Sequence, residues 1–156
     1  MNINTRDIGS EEAIMIGRRE FGIAGLSALT FSAIQNRTEG ADQANRDKVF
    51  DECAEACSKC QRTCDACARH CATLISEGMS HHLATLRTCL DCADVCSAAS
   101  HIVARKGVFS DQICTACADT CAKCAAECDK HASDAIMVQC AKECRVCEKA
   151  CREMLK

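Results

Sequence analysis

Residues 53–71 read CAEACSKCQRTCDACARHC. Cysteines stand at 53, 57, 60, 64, 67 and 71, separated alternately by four and three positions. Side chains three and four apart share one face of an α-helix, so the stretch predicts a helix with a continuous sulfur seam. From 51 to 73 the only apolar residues are Ala and Cys, where an ordinary seam would carry Leu, Ile or Val.

The spacing recurs at Cys89, Cys92 and Cys96, at Cys114, Cys117, Cys121, Cys124 and Cys128, and at Cys140, Cys144, Cys147 and Cys151. Four seams predict four helices. The first should run from Asp42 or Asn45 to Glu77 and stop at Gly78. Ser80 is placed to cap the second, which should end near Gly107. Ser110 with Asp111 should open the third, and Ser133 with Asp134 the fourth. Short connections make neighbouring helices antiparallel. The predicted fold is therefore all-α, an up-down-up-down four-helix bundle over residues 42–156 with a cysteine-lined core. Over Cys53 to Cys71 the first helix rises about 27 Å at 1.5 Å per residue, so the sulfurs line a tube.

The chain has 156 residues with no Pro, Trp or Tyr, which suits a nearly all-helical protein. Its formal net charge of −3, without a basic stripe interleaved with aromatics, argues against a nucleic-acid partner. Residues 1–40 differ in character. Arg18, Arg19, Glu20 and Phe21 open an uncharged, mostly apolar run that ends at Ile34. This resembles a twin-arginine export signal and is too short for an ordinary membrane span. The expectation is a leader directing the bundle to the periplasm or cell envelope, with an uncleaved extension of a cytoplasmic protein as the alternative.

Eighteen cysteines exceed what core packing explains, because Cys buries less apolar surface than Leu. A disulfide scaffold fits poorly, since such scaffolds are loop-rich and sulfurs on one rigid helix face are badly oriented for bonding. Six C-x-x-C pairs begin at Cys57, Cys64, Cys89, Cys114, Cys121 and Cys144. They keep open two other readings, a thiol-disulfide redox protein and a zinc or mixed-metal sequestering protein of the metallothionein kind. The redox reading needs an exposed pair of lowered pKa, and nearly all six pairs lie mid-seam. A four-thiolate zinc site keeps two uncancelled negative charges. Cu(I) is soft, accepts two or three thiolates, and with bridging sulfurs approaches one ion per thiolate, on the order of 18 per chain. Such a core is nearly neutral, which removes the cost of burying charge.

On these four runs, over residues 42–156, the chain resembles the bacterial copper storage proteins, cysteine-lined four-helix bundles that hold many Cu(I) ions. The resemblance implies storage without catalysis and a homo-tetramer. It also implies exchange of copper with chaperones, chelators or copper enzymes, and His or Met residues at the end where copper enters. Projected along the seams, His82, His131 and Met137 come to one end, beside the loop holding Met79 and His81. The opposite end gathers Phe50, Val103, Phe109 and Met154 as a plug. His70 and His101 fall off the seams and are expected at the surface. The candidate metal set is thus all eighteen cysteines together with His82, His131 and Met137.

Overall fold

The computed structural model describes the backbone of residues 28–156 and the side chains of residues 40–156. Four helices follow in order: α1 (Ala28–Ser76), α2 (Leu83–Ala104), α3 (Ser110–Cys128) and α4 (Ala135–Met154). Single 3-10 turns at Ser80–His82 and Asp129–His131 precede α2 and α4. The twin-arginine motif at residues 18–21 lies outside the described residues.

Sulfur contacts give the topology directly. Cys53 meets Cys151, Cys57 meets Cys147, Cys60 meets Cys144 and Cys64 meets Cys140, so α4 recedes as α1 advances. Cys89 meets Cys128, Cys92 meets Cys121 and Cys96 meets Cys117, which sets α2 against α3 in the same antiparallel sense. Cys53 with Cys114 and Cys57 with Cys117 place α1 and α3 parallel, across the bundle. This is the up-down-up-down arrangement, with one helical repeat of sulfur matched against the next.

The ends differ in detail from the expected ones. α1 is already helical at Ala28, the first described residue, and not only from near Asp42, because nothing between 28 and 45 stops a helix: there is no Pro, and Gly40 stands in open space. At its other end Gly78 has φ 95°, its N–H donates to Ile75 O and the Met79 N–H to Leu74 O, the paired closure of a left-handed helix stop. α2 closes in the same way, but its left-handed residue is Lys106 at φ 51°, not Gly107. Gly107 serves instead for close approach, since a Cβ there would stand 3.1 Å from Ile102 Cγ2 and from Ile102 O.

Two expected caps are also displaced. His82, not Ser80, precedes α2, and no side chain caps it. Ser110 is the first residue of α3 and its Oγ–H donates to Gly107 O at 2.7 Å. Asp134 does cap α4, accepting from Ile136 N–H at 2.9 Å and Met137 N–H at 3.2 Å. It also holds His70 Nε2 at 2.6 Å, so His70, expected at the surface, is half-buried and ties the end of α1 to the start of α4. Farther along these two helices Lys59 pairs with the buried Glu143 at 3.0 Å, and Gln139 donates to the same carboxylate at 2.7 Å.

Asp134→Ala removes both the cap and the interhelical tie. It should lower stability to urea by about 0.5–2 kcal/mol, whereas Asp134→Asn, which keeps an accepting oxygen for the amides, should lose less. Urea unfolding followed by far-ultraviolet circular dichroism on the reduced protein measures both.

Candidate metal centre

Each seam delivers its sulfurs to the bundle axis. Cys53 is 1 % exposed and the other cysteines 0 %, and all are free thiols. The remaining core is thin: Ala68, Ala93, Ala99, Ala118, Ala125 and Ala141 let the helices approach, and among the described residues only Val103 and Met137 are fully buried apolar residues of larger size. The centre of the protein is sulfur because the sequence offers the axis little else.

Neighbouring sulfurs stand 3.5–4.0 Å apart, from Cys96 with Cys121 to Cys117 with Cys121. They form four-membered groups whose ligand atoms all lie within 4.8 Å of one another. Cys57, Cys117, Cys147 and Cys151 make one such group toward the end of the bundle where α3 begins. Four more overlap along the axis. Cys60 and Cys92 join Cys96 and Cys121 in one and Cys64 and Cys144 in the next. Cys64 and Cys144 then join Cys124 and Cys140, and Cys140 joins Cys67, Cys89 and Cys128. A single four-sulfur group would suit one tetrahedral ion. Overlapping groups are filled together only if each shared sulfur serves two ions. Bridging thiolates and ions of low coordination number satisfy that demand, and Cu(I) accepts both.

Without metal, a water-free tube of thiols favours the protonated form, because no cation inside it balances a thiolate. At Cys71, near the end of α1, burial and then the neighbouring Cys67 push the thiol up from 9.0 to about 12. Deeper in, sulfurs share S–H···S contacts, so a thiolate at one position is stabilised only while its neighbours keep their protons.

At the end formed by the two 3-10 turns, three imidazoles pack together. The ring centroids of His81 and His82 are 4.1 Å apart, those of His82 and His131 4.4 Å, and those of His81 and His131 5.9 Å. His82 is buried while His81 is exposed. Burial, with His81 and His131 alongside, lowers the His82 pKa. Met137 is wholly buried in the first turn of α4. Sequence reasoning brought His82 and His131 to this end but overlooked Thr85, which is wholly buried and has its Oγ1 3.0 Å from His131 Nε2. The signal was present: Thr85 stands four residues before Cys89, on the α2 seam.

At the opposite end Val103 and Ala99 extend the α2 seam, and Phe50 and Met154 pack partly against the core. Phe109, expected in this plug, is 64 % exposed. Ser110 takes the seam position four before Cys114 and is buried, which turns Phe109 outward. His101 is exposed, as its place off the seam implies.

The family described as "Copper storage protein" matches residues 46–156, which contain all four seams. The chain belongs to the copper storage protein family. An uncharacterized cysteine-rich protein of Bacillus subtilis (strain 168), YhjQ, is 37% identical over 110 residues, covering 69% of this chain and 97% of that protein. A cytosolic copper storage protein from Streptomyces lividans, solved with five coppers, is 34% identical with a TM-score of 0.67 and covers 72% of this chain and 96% of its own. The Cu(I)-bound copper storage protein BsCsp3 is 36% identical with a TM-score of 0.62, covering 69% of this chain and 99% of its own. The matched span of this family member leaves out the residues before Arg46.

The raised thiol pKa has a consequence for the metal-free bundle. A thiol whose pKa is about 12 folded and 9.0 in its ordinary state stabilises the fold fully below pH 9. That contribution is lost as pH rises through about 12. In metal-free, reduced protein the stability contributed by Cys71 should therefore fall from about pH 9 upward, and copper-loaded protein, with no thiol proton there left to lose, should not show that fall. Chemical unfolding at a series of pH values under anaerobic conditions tests this.

Proposed function

We propose that this bundle stores Cu(I), many ions per chain, on bridging thiolates of its eighteen cysteines, and that it performs no catalysis of its own. One observation carries the reading: the buried sulfurs form overlapping four-membered groups along the axis rather than separate closed sites. A neutral net of Cu(I) and thiolate is the filling that such a water-excluded tube tolerates. Each thiol that binds gives up its proton, so affinity falls as pH falls. Solved relatives at 34–36% identity include a Streptomyces lividans protein loaded with 10 copper equivalents and a Cu(I)-bound storage protein. A redox enzyme would need an accessible thiol pair, and no cysteine here is more than 1 % exposed.

The ligand set is the eighteen cysteines, with His82, His131 and Met137 at the mouth through which copper passes. The functional part is residues 42–156, with residues 1–40 a leader. The apolar run before Asn36 and the twin arginines support export to the periplasm or cell envelope. The alternative is a cytoplasmic protein, and one solved relative is described as cytosolic. Assembly as a homo-tetramer, and exchange with a copper chaperone, chelator or copper enzyme, follow from the family resemblance. Among the described residues no helix is long and apolar enough to cross a membrane.

Anaerobic titration of the reduced protein with Cu(I) against a chromogenic chelator should give uptake approaching one ion per thiol, about 18 per chain. A plateau at a few ions would overturn storage in favour of discrete sites. Zn(II) in excess should displace little of the bound Cu(I), which separates this reading from mixed-metal sequestration. Replacing His82 and His131 by Ala and Met137 by Leu should leave capacity unchanged while altering the rates of loading and removal. Stopped-flow mixing with chelator measures those rates, and unchanged rates would dismiss the mouth.

A further inference from the structure

One step of the seams beyond the group formed by Cys67, Cys89, Cys128 and Cys140 lies a ring of four different side chains. Following each helix outward by three or four positions gives Cys71 on α1, Thr85 on α2, His131 after α3 and Met137 on α4. A thiol, an imidazole and a thioether are donors that Cu(I) accepts, and a hydroxyl is not. Thr85 is nevertheless wholly buried, and it fills the α2 seam position between His82 and Cys89. Donors on that seam are therefore interrupted over seven residues, about 10 Å at 1.5 Å per residue.

The hydroxyl has a specific use. Thr63, Thr73, Thr88, Thr115 and Thr120, the other threonines whose side chains are described, each donate to the carbonyl oxygen four residues back in their own helix. Thr85 instead places its Oγ1 3.0 Å from Nε2 of His131, in the turn before α4. Nε2 is thus the ring nitrogen aimed at the buried seam. Either the hydroxyl donates to it, or it carries the proton and donates to the hydroxyl. In both cases it has no lone pair left for an ion.

We propose that Thr85 gates the tube: while it holds Nε2 of His131, an ion at the outermost ring finds neither a soft donor on α2 nor a free inward nitrogen, and copper passes only when this hydrogen bond opens. Thr85 is a positioning residue, acting through His131 and adding nothing to capacity. The gate rests on the storage reading, with copper passing at this end, and deepens it by assigning the rate of exchange to one hydrogen bond at the step between imidazole and thiol.

The test uses the full chain, reduced and filled anaerobically with Cu(I), with copper per thiol counted first. Loading from a Cu(I)–chelator complex and removal by free chelator are then followed by stopped flow for the unaltered chain and for Thr85→Val, Thr85→Ser and Thr85→Cys. Val has the shape of Thr without the hydroxyl, so both rates should rise roughly two- to tenfold with capacity unchanged, the range that loss of one hydrogen bond allows. Ser should keep the original rates. Cys should exchange as fast as Val and take up about one further ion per chain. The same Thr85→Val change in a His131→Ala background should alter neither rate, because no ring is left to hold. Full loading with rates that Thr85→Val leaves unchanged, or an acceleration that persists in the His131→Ala background, overturns the gate and leaves storage standing. Failure of the unaltered chain to fill with Cu(I) overturns storage, and the gate falls with it.

Discussion

Eighteen thiols withdrawn from water must stay neutral, and the rest of the structure follows from that. A thiolate inside this bundle meets other sulfurs rather than a buried cationic side chain, so its charge is balanced only when a metal ion replaces its proton. Protons and soft monovalent ions are therefore interchangeable fillings of one tube. The same exclusion of water that pushes the Cys71 thiol to about 12 favours Cu(I) bridging once copper arrives.

The chain gives up ordinary core stability to make this possible. Cys and Ala fill an axis that Leu would fill better, and among the described residues only Val103 and Met137 add fully buried apolar bulk. Contacts at the edges of the bundle compensate in part. Asp134 caps α4 and holds His70 of α1, Glu143 of α4 is buried beneath Lys59, and Lys106 reaches Asp47 at 2.5 Å. These ties act outside the tube and hold the helices in register whether or not it is filled. Metal binding then adds to folding stability, because an ion that binds only the assembled sulfurs favours the folded state.

The two ends have opposite characters for reasons that lie in the continuation of the seams. Beyond the last sulfurs, α2 carries Ala99 and Val103 at one end and Thr85 at the other, with His82 in the turn just before it. α3 carries Ser110 at the first end and leads to His131 at the second. One end is thereby lined by small and apolar groups, and the other by ring nitrogens, a hydroxyl and a thioether. Two single turns of 3-10 helix, at Ser80–His82 and Asp129–His131, bring the imidazoles into contact.

The period of three and four residues between cysteines determined by itself that there are four helices, which face of each is inward, and that the core is sulfur. A helix fixes the direction of side chains relative to one another, so spacing alone carries that information. Short connections determined the antiparallel order, and the chemistry of many aligned thiols pointed to Cu(I). Only the tertiary structure decided which sulfurs are shared, since quartets such as Cys60, Cys64, Cys92 and Cys144 draw on three helices whose relative register no local pattern encodes. It likewise decided that Thr85 holds His131, that His70 is a tie rather than a surface residue, and that Phe109 turns away from the plug. Those outcomes depend on how helix ends close, and a shift of one residue at Lys106 or Ser110 moves every side chain in the turn that follows.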